Sequence, residues 1–209
     1  MLTNDLKSQK NLTDYLITTG VLYTPIIIEA FRAINRGDFV PPDALDFAYY
    51  DDALRIGYEQ TISQPTTVAI MLELLQPQKG QRILDIGSGS GWATALLSFI
   101  VGNTGSVTGL EIIPQLVKFG QKNLAKYNFP QSKIMRAGKF LGLPGKSFDR
   151  ILVSASAKQL PDELVDQLNA GGKMVIPVEY SLMLVEKDLE GNAKQKEIPG
   201  FTFVMLKSS

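Results

Sequence analysis

The chain has 209 residues, 44% of them hydrophobic, which suits one α/β domain with a modest extension and a full core. Lysine plus arginine and aspartate plus glutamate both number 21, so no overall basic excess points to nucleic acid or an anionic membrane. The lack of cysteine removes disulfides, thiolate metal sites and a thiol nucleophile; the lack of histidine removes a Ser-His-Asp triad, imidazole general bases and most zinc sites.

Residues 1–13 are polar, carry Lys7 and Lys10, and lack the apolar centre of a signal peptide. No apolar run approaches bilayer-spanning length, so a cytoplasmic protein is expected. Over residues 4–19, Leu6, Leu12, Tyr15, Leu16 and Ile17 have a helical spacing that Gly20 stops. Thr24-Pro25 opens a second helix through Ile26, Ile27, Ala30, Phe31 and Ile34. Asn35-Arg36-Gly37-Asp38 ends it, and Phe39-Val40-Pro41-Pro42 reads as an extended turn. Residues 43–64 show no periodicity but hold Phe47, Tyr49, Tyr50 and Tyr58. So long an aromatic loop predicts a lid or substrate wall.

Residues 65–75 form a third helix with Val68, Met71, Leu72 and Leu75 inward, closed by Pro77 and Gly80. The strand Arg82-Ile83-Leu84-Asp85-Ile86 then runs into Gly87, Gly89 and Gly91, and residues 93–100 read as a helix. Glycines accept positive φ and let a ligand lie against bare backbone, while the helix start offers unpaired N–H groups. A dinucleotide fingerprint would place its third glycine where Trp92 stands. An ordinary tight strand–helix turn would read the same way. A second strand over 106–110 is closed by Glu111, about 20 residues on, where an acid can accept both hydroxyls of a ribose. A solvated loop charge is the plainer alternative for Glu111.

A helix over 115–127 buries Leu116, Val117, Phe119, Leu124 and Tyr127. Strands follow over 133–136 and 148–154, the latter with consecutive Ile151, Leu152 and Val153. Residues 161–168 read as a helix ending at Ala170-Gly171-Gly172, and 173–178 as a fifth strand. Residues 181–187 and 200–206, with a polar turn at Glu190-Gly191-Asn192, predict an antiparallel pair. The fold class expected is a doubly wound, mostly parallel Rossmann-like α/β sheet with an antiparallel C-terminal edge hairpin and N-terminal helices.

The glycine turn, with Asp85 two places ahead, resembles the first motif of class I S-adenosylmethionine methyltransferases. Several stretches together resemble the protein-L-isoaspartate (D-aspartate) O-methyltransferases. The most specific is Ile56-Gly57-Tyr58-Glu59-Gln60-Thr61-Ile62-Ser63-Gln64-Pro65. Phe39-Val40-Pro41, Glu111-Ile112-Ile113-Pro114, Phe148-Asp149-Arg150-Ile151 and Gly171-Gly172-Lys173-Met174-Val175-Ile176-Pro177-Val178 follow in the family's order. The resemblance implies residues 1–80 as a helical lid region with the substrate-side loop, and 81–209 as the S-adenosylmethionine-binding core of one compact unit. It implies Ser63 as the active-site serine, and Thr61, Ile62, Asp85, Gly87, Ser88, Gly89, Gly91, Glu111, Ile112, Gly138 and Lys139 as cofactor-binding. On the substrate side it implies Ile62, Ser63 and Ala155. The partner implied is an isoaspartyl-containing protein or peptide, met by a monomer.

The chemistry suits a chain without histidine. An isoaspartyl carboxylate has an ordinary pKa near 4, so it is already an anion at neutral pH and needs no general base. Alignment and water exclusion are then the enzyme's task. Ser63 would orient the carboxylate, although Ser-Gln-Pro before an apolar run also reads locally as a helix cap. The methyl ester favours succinimide closure, and reopening returns some normal aspartate.

Three places depart from the family's pattern. Ala137-Gly138-Lys139 stands where Gly-Asp-Gly is usual, Glu59 where glycine is frequent, and Glu179-Tyr180-Ser181-Leu182 where a glutamine-bearing loop is typical. Glu59 also reads simply as an exposed loop carboxylate. These departures keep two alternatives open: a methyltransferase for another carboxylate, small molecule or modified peptide, and a non-catalytic nucleoside-binding module.

Overall fold

The computed structural model describes residues 6–206. The start of the first expected helix at Asn4, and the first part of the polar segment from Met1, lie outside them. Helix α1 spans Gln9–Thr18 and is capped by the Ser8 hydroxyl, which accepts the Asn11 N–H at 3.2 Å. Helix α2, Pro25–Ala33, and α3, Pro65–Leu75, both begin on proline, whose missing N–H costs nothing in a first turn. Val68, Met71, Leu72 and Leu75 are buried, as their spacing requires.

Residues 43–64 are not one loop. A short 3-10 turn at Pro42–Phe47 leads to strand β1, Leu54–Gly57, which pairs antiparallel with β2, Gln60–Ile62. The connecting residues Tyr58 and Glu59 both take positive φ, 54° and 60°, as a tight two-residue hairpin demands. Neither is the glycine or asparagine that normally announces such a turn, so the sequence pattern hides it.

A seven-stranded sheet forms the rest: β3 Arg82–Ile86, β4 Ser106–Glu111, β5 Ser132–Arg136, β6 Phe148–Val153, β7 Leu168–Val178, β8 Ser181–Lys187 and β9 Ala193–Pro199. Its order is β5-β4-β3-β6-β7-β8-β9, parallel through β7 and antiparallel beyond. From β3 the chain winds first toward β5, then toward β7, so a crevice opens beyond the carboxyl ends of β3 and β6. Helices α4, Trp92–Val101, and α5, Pro114–Leu124, make the crossovers on one face.

Alternate strand residues sort into two cores. Ile83, Leu152 and Val175 join the core shared with α1 to α5, while Leu84, Ile151, Val153, Met174 and Ile176 face the other way. That second face is covered by α6, Asp162–Val165, and by irregular segments carrying Leu141, Leu143, Leu160 and Leu206.

Two further expectations need correction. The helix expected over 161–168 is the single turn α6, and β7 already begins at Leu168. The Gln167 carbonyl accepts Phe148 N–H at 2.8 Å, so this backbone joins the sheet, and extra residues bulge at Gly171 (φ 73°). The hairpin's second strand is β9, not 200–206. Its polar residues suit an exposed edge that needs only backbone pairing. Gly200 (φ 101°) then turns the chain, and Phe201 and Phe203 pack against the first core, Leu206 against the second.

Candidate active site

The crevice is a cleft of about 660 Å³. Its floor is Ile86, Gly87 and Gly89 at the end of β3, with Leu110, Glu111 and Ile112 at the end of β4. One wall is the segment after β5, from Ala137 to Gly142; another is Ser154, Ala155 and Ala157 after β6. Gln60 and Thr61 of β2 close one side.

The turn after β3 is shaped by backbone. Gly87 N–H and Ser88 N–H both donate to Leu110 O, at 2.8 and 3.0 Å, which folds the chain back over β4. At Gly91 (φ 91°) a Cβ would lie 2.9 Å from Ile134 and 3.2 Å from Gly120 O, so only glycine lets the turn seat on α5. Glu111 is only 5% exposed; its Oε2 accepts Gly89 N–H and its Oε1 accepts Ile113 N–H, each at 2.9 Å. Each carboxylate oxygen has a second lone pair left for a donor in the cleft. Glycines, small side chains and an acceptor-only acid make a site for a neutral or cationic ligand rich in hydroxyl donors.

Asp85 is fully buried behind this turn. Burial pushes its pKa up to about 6; the Thr94 hydroxyl, donating to Oδ2 at 2.5 Å, opposes the rise, and the charge of Glu111 adds to it. Its Oδ1 has no partner among the described residues.

Of the residues singled out from sequence, Thr61, Gly87, Gly89, Glu111, Ile112, Gly138, Lys139 and Ala155 line the cleft together. Asp85, Ser88 and Gly91 stand behind its floor, and the Ile62 side chain is buried in the first core. Ser63 lies at the exit of β2, half-buried, and its hydroxyl has no partner among the described residues. It does not cap α3. The helix begins after Gln64, and Asp51 serves it from a distance: Oδ1 accepts Thr66 N–H at 2.8 Å and Oδ2 accepts the Thr66 hydroxyl at 2.7 Å. Glu59 is exposed at the hairpin tip.

Sequence reasoning missed three contributors. Val204, Met205 and Leu206 line the cleft, held where Ser156 N–H donates to Val204 O at 2.7 Å and Leu206 N–H to Ser156 O at 2.8 Å. The apolar composition of 200–206 suggested a strand of the C-terminal hairpin. Gln167 pins the wall after β5: Oε1 accepts Leu143 N–H at 2.7 Å, and Nε2 donates to Leu141 O and Glu163 O. Arg36 is buried without a local pattern to announce it.

Among the described residues no helix is long and apolar enough to cross a membrane, and no cluster of side chains could hold a metal. A family model for Protein-L-isoaspartate(D-aspartate) O-methyltransferase matches residues 7–209. The chain is similar to a Protein-L-isoaspartate O-methyltransferase of Methanopyrus kandleri, 39% identical over 206 residues, covering 96% of this chain and 91% of that protein. It is similar to one of Methanococcoides burtonii, 40% identical over 184 residues, covering 86% and 91%. A crystal structure from Plasmodium falciparum, provisionally identified as a protein-L-isoaspartate O-methyltransferase and in complex with S-adenosyl-L-homocysteine, superposes with a TM-score of 0.85. That chain is 27% identical, with 97% of this chain and 99% of that one covered.

Proposed function

This chain belongs to the protein-L-isoaspartate(D-aspartate) O-methyltransferase family, and from that premise we propose that it methylates the carboxylate of L-isoaspartyl residues in damaged proteins and peptides, using S-adenosyl-L-methionine. The observation that carries the reading is Glu111, a buried carboxylate facing the cleft beside a turn of bare backbone. The residues present fit the cofactor: Glu111 would accept from the sugar hydroxyls, Gly87 and Gly89 would allow close approach, and Ile112, Gly138 and Lys139 would flank the base. Asp85, Ser88 and Gly91 keep the turn in shape from behind.

When bound, the cofactor supplies an activated methyl group on a sulfonium. The chain's own work is orientation. Ser63 donates a hydrogen bond to the acceptor carboxylate, the backbone of Thr61 and Ile62 guides the acceptor, and the small Ala155 leaves room for it. No side chain has to take a proton, because that carboxylate is ionised at neutral pH. The β1–β2 hairpin and the segment 204–206 exclude water, which strengthens each polar contact inside.

The proposal extends to the division of labour, with 1–80 serving the acceptor and 81–209 the cofactor within one compact unit. It extends also to a cytoplasmic monomer that engages neither nucleic acid nor membrane, a reading supported by equal numbers of acidic and basic residues. A labelled-methyl assay tests the function directly, comparing an isoaspartyl peptide with its normal aspartyl twin. Label should enter the first alone; equal, negligible labelling of both removes the repair reading.

A further inference from the structure

We propose that Arg36 is a positioning residue for the acceptor side, clamping both ends of the β1–β2 hairpin to the core. Its Nη2 donates to Asp52 O at 2.8 Å and to Ser63 O at 3.2 Å, residues two places before β1 and just after β2. Its Nη1 donates to Ala48 O at 2.7 Å and to Tyr50 O at 3.3 Å. The guanidinium also lies over the Trp92 ring, 5.3 Å from its centroid, at the first residue of α4. One side chain thus ties the approach to the hairpin, its exit and the start of the helix behind the glycine turn.

Arg36 is fully buried, and among the described residues it forms no salt bridge. A buried cation is unfavourable unless its donors are matched; here backbone carbonyls match both Nη groups, and Nε has no partner among the described residues. Burial pushes the guanidinium down to about 10, against the nearby charges of Asp51 and Asp52, so it remains a cation at neutral pH. The fork geometry matters, because a guanidinium can reach several carbonyls in one plane and an ammonium cannot.

The hairpin needs such an anchor. It has two strands, no pairing to the seven-stranded sheet, and a turn of two non-glycine residues at positive φ. Its apolar hold on the core is small: Ile56 and Ile62 are buried there with Leu54 beside them, and the Ile56 Cδ1 lies 3.3 Å from a Cβ built at Gly89. Since Ser63 leaves the hairpin at the clamped carbonyl, the clamp sets where its hydroxyl points.

The test uses the full chain with Arg36→Met and Arg36→Lys, read by hydrogen exchange, S-adenosylhomocysteine affinity and steady-state transfer. The hairpin amides of residues 54–62 should exchange at least about tenfold faster while those of β3 do not change. Turnover should fall about a hundredfold, as expected for a small misplacement, while cofactor Kd shifts by less than about tenfold. Lysine should not rescue. Should the methionine variant fail to fold, the lysine variant decides by the same readings. Unchanged hairpin exchange overturns the clamp, as does a parallel loss of cofactor affinity and turnover, which marks general loosening. The kinetic arm rests on the function proposed above: if the wild-type chain methylates no isoaspartyl peptide, that function falls and the exchange arm still decides the clamp.

Discussion

The Gly89 amide donates to the Glu111 carboxylate at 2.9 Å, so the acid that faces the cleft also fastens the glycine turn. Glu111→Ala therefore loses two bonds to a charged acceptor and should cost about 2–4 kcal/mol in urea unfolding. It should also weaken S-adenosylhomocysteine binding at least about tenfold by calorimetry. Glu111→Gln should rescue little, because its NH2 would meet one of the two backbone N–H groups that need an acceptor.

Ser63 and Asp51 separate orientation from capping. Ser63→Ala removes an unpartnered hydroxyl, so stability should move by less than about 0.5 kcal/mol while turnover falls. Asp51→Ala uncaps α3 and should cost about 1–2 kcal/mol. Paired melting curves and initial rates decide both. A Ser63→Ala enzyme with unchanged turnover would count against its orienting role.

Asp85 gives a pH dependence of defined sign. Its folded pKa of about 6 lies above the ordinary 3.8, so the folded state holds a proton that the unfolded state has released between those values. Its contribution is fully present below about pH 4 and is lost as pH rises through 6. Asp85→Asn lacks this loss. Relative to wild type it should gain on the order of 2–3 kcal/mol at pH 7.5 over its value at pH 3.5, measured by denaturant midpoints at both.

Gln167 holds the wall after β5 through three hydrogen bonds. Gln167→Leu should cost about 2–3 kcal/mol and loosen cofactor binding about tenfold. Gly142→Ala should act in the same direction, since its φ is 72° and a Cβ there would collide with the Gln167 amide. Calorimetry on both variants checks the coupling between that amide and the cleft.

The parallel half of the fold was legible because its strands are buried on both faces and its helices carry clear stripes. Ile151-Leu152-Val153 and the spacing of Val68, Met71, Leu72 and Leu75 left little choice. The floor of the cleft was legible for a similar reason, since glycines at alternate places and an acid at the next strand end have few other uses. What escaped depends on partners distant in sequence. β1 and β2 are short, with a turn of two non-glycine residues; β9 is polar because it is an edge; residues 204–206 look like a strand because they are consecutively apolar, yet they cover the cleft. No local pattern marks Arg36 or Asp51, because the carbonyls and the helix start they serve come from other parts of the chain.

A crystal structure with S-adenosylhomocysteine is the most direct measurement. The sugar hydroxyls should lie within about 2.5–3.0 Å of the Glu111 carboxylate, with the ligand along Gly87 and Gly89. Density for the ligand elsewhere, with Glu111 still bonded only to Gly89 and Ile113, would contradict the assignment of this cleft and the methyl transfer built on it.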